Sequence, residues 1–421
     1  DESSMLTEEQ LAALLDAVKG VNRLILVGDP RQLPPIGAGR PFVDIVHYLT
    51  PDNLDSLVPR VAPGYAELTI SMRHKDEGEP RLDVLLANSF AGRIEDAGAD
   101  EVWRRVAAED SPHIKLVRWD QPEQLQRLLL DEMVAEFQLE STEDQVGFEQ
   151  TIGGNRAEYK GKTFVFFNRR SGARPGAGEK TEDWQILTPV RQSQVGVLAL
   201  NRAIQQRFRK AFLDMAIHPS SRRVIPAPAG PEGIIYGDKV INVTNSSRRK
   251  IYPEKENRYV ANGDIGVVVG HRRTRNRNFK SWQLEVEPAS DPGYDYKYNP
   301  WEFDGQESSP PLELAYALTV HKTQGSEFKT TFLVAPNPCR LLSREMLYTA
   351  ITRHQGRVII LHQGDFRSLA RYGHDQASEI ARRMTNLFEP SKPVEVRVKN
   401  RNVFLDDHWR TSAVKVGVDY R

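Results

Sequence analysis

A chain of 421 residues is too long for one core and calls for about two to four domains. Lys+Arg and Asp+Glu both number 57, so bulk charge does not mark a nucleic-acid binder, and any such contact has to come from local basic patches. The single cysteine, Cys339, excludes an internal disulfide and a cysteine zinc ribbon. With no signal peptide and no apolar run near about 18 residues, it points to the cytoplasm and away from a membrane. The opening Asp-Glu-Ser-Ser-Met has no initiator Met, and the chain is expected to be a piece of something longer.

Thr7 followed by Gln10 is a capping-box pattern. Leu11, Leu14, Leu15 and Val18 then fall at helical spacing, which predicts a helix over 7–19. Residues 23–27, RLILV, read as a buried strand. It runs into the loop Gly28-Asp29-Pro30-Arg31-Gln32-Leu33-Pro34-Pro35. The acid pair Asp1-Glu2, the helix, the strand and the loop make one β-α-β step of a parallel sheet. Residues 68–75 read as a strand containing Arg73, 81–90 as a helix, 114–119 as a strand, 121–138 as an amphipathic helix and 163–167 as a strand. A further strand over 184–190 carries Thr188, and a helix over 198–208 carries Asn201 and Arg202, which either lie near DNA or, as the favoured reading, serve only as a cap and a surface charge.

Residues 226–231 form a linker. Short strands follow at 238–243, 262–269 and 282–286, punctuated by Asn262-Gly263, and suggest a small β barrel. The densest basic run, with Arg272, Arg273, Arg275 and Arg277, lies here, ahead of Tyr294, Tyr296, Tyr298, Trp301 and Phe303. Basic residues with nearby aromatics suit a single-strand groove. Thr319, His321, Lys322, Gln324, Gly325, Ser326 and Glu327 then crowd into 319–327, ahead of the apolar run 332–334. That reads as a loop and helix feeding a buried strand, and as a site rather than a solvated face. A helix over 343–353 ends in Arg353, a strand closes at 358–361, one or two helices occupy 366–387, and 390–421 is mixed and basic.

Read together, these stretches resemble the RecD-like branch of superfamily 1 DNA helicases. Residues 312–334 resemble motif V and GDPRQLPP resembles motif III. SREMLYTAITR, residues 343–353, resembles motif VI, and Asp1-Glu2 resembles the end of a Walker B strand. The resemblance spans roughly residues 1–365. It implies an α/β fold with two RecA-like (P-loop NTPase) motor domains, the first incomplete, and an SH3-like β-barrel insertion. The implied division is 1–95 for the first motor, 96–235 and 312–365 for the second, 236–311 for the insertion, and 366–421 for a C-terminal extension.

The resemblance also implies roles. Asp1 would support Mg²⁺ and Glu2 would activate water, while Gln32 senses the γ-phosphate of ATP and Arg73 and Arg353 stabilise transferring charge. Gly28, Asp29, Gln324, Gly325 and Glu327 would line the nucleotide. Thr188, Thr319, His321, Lys322, Arg272, Arg273 and Arg275 would meet DNA, through phosphates and stacked bases. The implied activity is ATP-dependent movement on single-stranded or forked DNA, 5′ to 3′, with further subunits or a C-terminal nuclease domain as partners. A non-catalytic nucleic-acid-binding or assembly subunit and an RNA-directed motor are the alternatives.

The Walker A loop GxxxxGK[ST] is absent from the 421 residues. Gly161-Lys162-Thr163 has its tail, but Arg156 stands where the first Gly is required, and the run leads into a strand. Gly176 to Thr181 has Glu179 between Gly and Lys, which breaks the spacing, and 171–181 reads as a flexible loop. The phosphate cradle is therefore expected on an N-terminal segment or a separate chain.

Overall fold

The computed structural model describes residues 1–68, 81–92, 96–108, 111–167, 176–218, 225–248, 250–255, 258–275, 280–303, 310–383 and 387–388, with side chains undescribed at 96–100, 272–275 and 280–282. The chain divides into two compact units, Asp1–Lys75 with Ser378–Arg421, and Asp76–Ala377. No helix among the described residues is long and apolar enough to cross a membrane.

The first unit is built on helices α1 (Glu8–Ala17) and α2 (Pro41–Leu49) and a two-rung hairpin, β1 (Val61–Ala62) with β2 (Tyr65–Ala66). The capping box forms as the sequence predicts. Thr7 Oγ1 accepts from Gln10 N at 3.1 Å, and Thr7 N donates to Gln10 Oε1 at 3.0 Å. Residues 23–27 depart from expectation. They are irregular, and Leu24, Ile25 and Val27 are 41%, 71% and 46% exposed. Apolar side chains make a buried strand only where neighbouring strands supply ladder partners. Among the described residues, the backbone bond that reaches the run is the one from Ser3 N to Val27 O, 2.8 Å. The expected β-α-β step is accordingly not formed among the described residues. The loop after Pro35 is tied to the C-terminal segment instead. Arg383 Nη1 donates to Gly37 O at 2.8 Å and Gly39 O at 2.9 Å, and Arg40 Nη1 donates to Ile380 O at 2.7 Å.

The second unit begins with α3 (Leu82–Phe90) and α4 (Asp96–Ala108), then β3 (Ile114–Trp119), α5 (Pro122–Phe137) and α6 (Gln145–Thr151). A hairpin of β4 (Asn155–Tyr159) and β5 (Lys162–Phe166) precedes β6 (Trp184–Thr188), α7 (Val197–Phe208) and α8 (Lys210–Ile217). The strands β7 (Lys239–Asn242), β8 (Ser246–Ser247), β9 (Ile251–Tyr252), β10 (Tyr259–Val260), β11 (Ile265–Arg275), β12 (Lys280–Pro288), β13 (Asp295–Tyr298) and β14 (Leu312–Leu314) follow. The unit closes with β15 (Ala317–Thr319), β16 (Phe328–Ala335), α9 (Arg344–Ile351) and β17 (His354–Gln363).

Five of these strands form one parallel sheet in the order β15-β6-β16-β17-β3. Every residue of β6 is buried, as are Thr331–Ala335 of β16 and Val358–His362 of β17. Unbroken burial is what a parallel strand covered on both faces requires. Helix α5 buries Leu125, Leu129 and Met133, and α7 buries Leu200, Ile204 and Phe208. Both sets keep the helical spacing seen in the sequence. Asn201 is structural, but it is not the expected cap: it lies inside α7, whose N-cap is Gly196. Its Nδ2 donates to Leu314 O at 2.8 Å and its Oδ1 accepts from Ala317 N at 2.7 Å, which fixes the turn into β15.

Six other strands form a separate antiparallel sheet in the order β14-β7-β11-β12-β13-β9, and none of them pairs into the parallel sheet. This sheet is strongly curled. The Tyr298 hydroxyl on β13 donates to Asn242 Oδ1 on β7 at 3.2 Å, although two strands separate them in the sheet.

Both Walker-like decoys are resolved as ordinary structure. Lys160-Gly161 is the two-residue turn of the β4–β5 hairpin. Residues 176–181 are not the expected flexible loop. Ala177–Lys180 is a 3₁₀ turn with Ala177 and Gly178 buried, and Gly178 N donates to Glu287 Oε1 at 3.3 Å. A side chain at Gly178 would meet Pro288 O at 2.8 Å, so the glycine serves close packing rather than a phosphate.

Candidate functional site

In the first unit the acid pair and the GDPRQLPP loop lie side by side. Glu2 has a left-handed backbone and leads into the 3₁₀ turn Ser3–Met5. A Cβ on Gly28 would sit 2.9 Å from Ser4 N and 3.0 Å from the Phe42 ring, so only glycine lets the loop approach this turn. Asp29 Oδ1 accepts from Arg31 N at 3.0 Å, and Asp29 O accepts from Gln32 N at 3.2 Å. These two bonds spend Asp29 on shaping the loop. Leu33 anchors it, fully buried. Arg31 is held by Glu67, with Nη2 to Oε1 at 3.3 Å. Gln32 Oε1 is shielded from solvent and has no donor among the described residues. A buried amide oxygen left this way costs about 1–3 kcal/mol, which a ligand hydrogen would recover.

In the second unit the register shows how the 319–327 cluster lies on the parallel sheet. Thr319 pairs with Thr188, the last residues of β15 and β6, at the carboxyl edge of the sheet. Phe328 pairs with His354, the first residues of β16 and β17, at the amino edge. Residues 320–327 therefore run from one edge to the other. The expected helix here is only the single 3₁₀ turn Val320–Thr323, because the chain must cover this span in eight residues. Gly325, at φ 82°, makes the turn that lets it do so.

At the amino edge, the Arg353 guanidinium donates from Nη1 to Ser326 O and from Nε to Thr349 O, both at 3.2 Å. Its carbonyl accepts from Phe328 N at 2.9 Å. One arginine thus joins the 320–327 loop, the end of α9 and the start of β17, and it is 2% exposed. Glu327 Oε2 accepts from Gln355 Nε2 at 2.9 Å. At the carboxyl edge, Lys322 Nζ donates to Glu313 Oε2 at 2.8 Å, and Arg191 grips the same carboxylate at 2.9 and 2.8 Å. Burial alone would raise the Glu313 carboxyl. The Arg191 and Lys322 bonds outweigh it and hold the group below its usual range. Neighbouring Glu232 is pushed up by burial.

Not every expected contact survives. Thr188 is fully buried and its hydroxyl donates to Val195 O at 3.2 Å, so its side chain has no surface to offer DNA. The end of a covered inner strand leaves no other outcome. Thr319, His321 and Gln324 are half-buried on the 319–327 path. Arg272, Arg273 and Arg275 fall on β11, opposite Gln283, Trp282 and Lys280 of β12, and Arg277 lies outside the described residues. Arg73 also lies outside them.

Sequence reasoning missed a buried ion cluster beside Arg353. Asp83, at the start of α3, meets His354 Nε2 at 2.8 Å, and Arg81 donates to it from Nε at 3.1 Å and Nη2 at 2.8 Å. Nothing in the local pattern of 81–90 signals a partner 271 positions away.

The first unit provides two carboxylates and a buried amide acceptor, and the second an arginine held at a strand junction. Neither includes a lysine-bearing loop able to cradle β and γ phosphates, so neither by itself completes an ATP site. Among the described residues no cluster of three or more His, Cys, Asp or Glu could hold a metal ion.

Comparison with known proteins follows the same lines. Residues 314–361 match the model of the UvrD-like helicase C-terminal domain, and residues 1–97 match an AAA domain. An uncharacterised protein of Methanocaldococcus jannaschii is 27% identical over 399 residues, covering 92% of this chain and 30% of that protein. The RecBCD enzyme subunit RecD of Mycolicibacterium smegmatis is 26% identical over 365 residues, covering 86% of this chain and 49% of that one. The ATP-dependent RecD2 DNA helicase of Deinococcus radiodurans is 26% identical over 363 residues, covering 85% and 35%. The chain thus spans half or less of the length of these curated relatives. Among solved structures, the Pif1 helicase of Candida albicans aligns over 90% of this chain and 73% of its own, at 14% identity and a TM-score of 0.35.

Proposed function

We propose that this chain, a homologue of the RecD-type superfamily 1 helicases, is part of an ATP-dependent DNA helicase that moves 5′ to 3′ on single-stranded DNA. The observation that carries this reading is the path of residues 320–327. They connect the carboxyl edge of the parallel sheet at Thr188–Thr319 to the amino edge at Phe328–His354, where Arg353 binds Ser326 O. A single short loop touching both edges can transmit a change at one to the other. In the first unit Glu2 and Gln32 would serve the nucleotide, with Asp1 supporting Mg²⁺; in the second, Gln324, Gly325, Glu327 and Arg353 would. DNA would meet Thr319, His321 and Lys322. The curled antiparallel sheet is read as an SH3-like insertion in the second motor, with the first motor completed by a segment carrying the Walker A loop.

The reading predicts that the 421-residue chain alone shows no DNA-stimulated ATP hydrolysis. A full-length protein containing a GxxxxGK[ST] segment should show it and should unwind a 5′-tailed duplex. The check is a coupled phosphate-release assay on both proteins. Robust DNA-stimulated turnover by the short chain would overturn the assignment of the phosphate cradle.

The basic run at 272–277 gives a second expectation. Neutralising Arg272, Arg273, Arg275 and Arg277 together should weaken single-strand binding regardless of sequence. It should also lower the salt slope by roughly one unit per lost phosphate contact. An unchanged slope in a salt titration would make this hairpin plain surface.

A further inference from the structure

The β4–β5 hairpin takes no part in the site described above. Its register pairs Asn155 with Phe166, Ala157 with Phe164 and Tyr159 with Lys162. Alternation along the strands therefore puts Tyr159, Lys162, Phe164 and Phe166 on one face. The opposite face carries Val165, which packs on the core and anchors the hairpin. On the first face Tyr159, Phe164 and Phe166 are 64%, 40% and 45% exposed. The Phe164 and Phe166 rings lie 6.3 Å apart and are tilted by 31°, so neither covers the other.

Three exposed rings on a short two-stranded ribbon cost hydration free energy with no return among the described residues. The local charge indicates what they are for. Lys160 and Lys162 at the turn are exposed, and neither meets a carboxylate among the described residues. The Lys160 ammonium sits 5.3 Å from the Tyr159 ring centre. The one acid on the hairpin, Glu158, is engaged by Arg156 at 3.1 Å. A row of open rings bordered by uncompensated lysines is complementary to a polyanion with flat apolar bases, and poorly complementary to an apolar protein face.

We propose that this face binds a single strand of nucleic acid, with unpaired bases stacking on Tyr159, Phe164 and Phe166 and phosphates meeting Lys160 and Lys162. The inference rests on the reading of the chain as part of a nucleic-acid motor, and adds a contact outside the sheet edges assigned above. The contact is indifferent to base identity, because every base has a π face.

The test uses the 421-residue chain and a fluorescent oligothymidylate in anisotropy titrations at two salt concentrations. Tyr159→Ala with Phe164→Ala should weaken binding by about tenfold or more, the scale of one or two lost stacks. Tyr159→Phe with Phe164→Tyr, which keeps both rings, should bind as the parent does. Lys160→Gln with Lys162→Gln should lower the salt slope by about 1–2. Matched melting temperatures show that the hairpin still folds, and cross-linking of an iodouracil oligomer should map to Tyr159. Parent-like affinity of the double alanine variant overturns the proposal while leaving the motor reading intact. So does a variant that keeps DNA affinity but loses self-association, which would make the face a protein contact. A parent chain that binds no oligomer at all overturns both.

Discussion

Replacing Arg353 with alanine in a complete protein should lower ATP turnover by about 10³-fold or more, while nucleotide and single-stranded DNA still bind. That is the scale of an arginine that neutralises charge on a transferring phosphoryl group. Arg353 sits where α9 gives way to β17, and its guanidinium is already bonded to Ser326 O and Thr349 O. In the motor reading these bonds do two things. They hold the arginine at the amino edge of the sheet, and they make its position sensitive to the 320–327 loop. Alanine removes the donor from two carbonyls, which costs stability of about 1–3 kcal/mol for each one left buried and unpaired. Turnover must therefore be measured below the melting temperature of the variant. Arg353→Lys separates charge from shape, since lysine restores a cation but not the planar fork that reaches two carbonyls at once. It should recover less than a tenth of the lost rate. Near-normal turnover by the alanine variant would sink the assignment of Arg353 as the charge-stabilising residue.

The parts of this chain that the sequence made legible are those whose cause is local. The capping box at Thr7, the six residues of β3 and the spacing of Leu125, Leu129 and Met133 in α5 are written in neighbouring residues, and each forms where expected. The short strands after residue 238 follow their glycine punctuation into the antiparallel sheet. The 23–27 run misleads because its composition describes a covered strand, whereas coverage depends on residues that are not adjacent to it. The edge-to-edge path of 320–327 was hidden because it depends on the register of β15 and β16 against β6, a property of pairing. Residues 176–181 were misjudged for a similar reason. Glycine suggested freedom, while the acceptor that orders the turn is Glu287, 109 positions away. The same distance problem concealed the partners of Arg353 and of its neighbour His354. Motif resemblance marked the arginine but said nothing about the carbonyls that hold it or the carboxylate that holds its neighbour His354.

Asp83 is the clearest consequence of that concealed layer, and its loss should be the most destabilising single change in the second unit. The residue is 1% exposed at the start of α3, with His354 on one oxygen and Arg81 bridging both. Burial raises its carboxyl, but the hydrogen bonds from His354 and Arg81 outweigh that and hold it well below the usual value of 3.8. Asp83→Ala leaves the Arg81 guanidinium and the His354 ring facing a cavity with no counter-charge. Breaking a buried pair from one side in this way costs about 3–5 kcal/mol. At roughly 2–4 °C per kcal/mol for a unit of this size, the melting temperature should fall by about 10 °C. The pH dependence has a definite sign. A carboxylate whose folded pKa lies below its unfolded pKa adds stability that is fully present above the unfolded value and is lost as pH falls toward the folded one. The gap between parent and Asp83→Asn should therefore be constant from neutral pH down to about 5, and should close progressively below about 4. Thermal melts of both proteins across that range provide the check. A gap under about 1 kcal/mol at neutral pH, or one that stays constant into acid, would mean that the ion cluster does not hold α3 against the strand that follows Arg353.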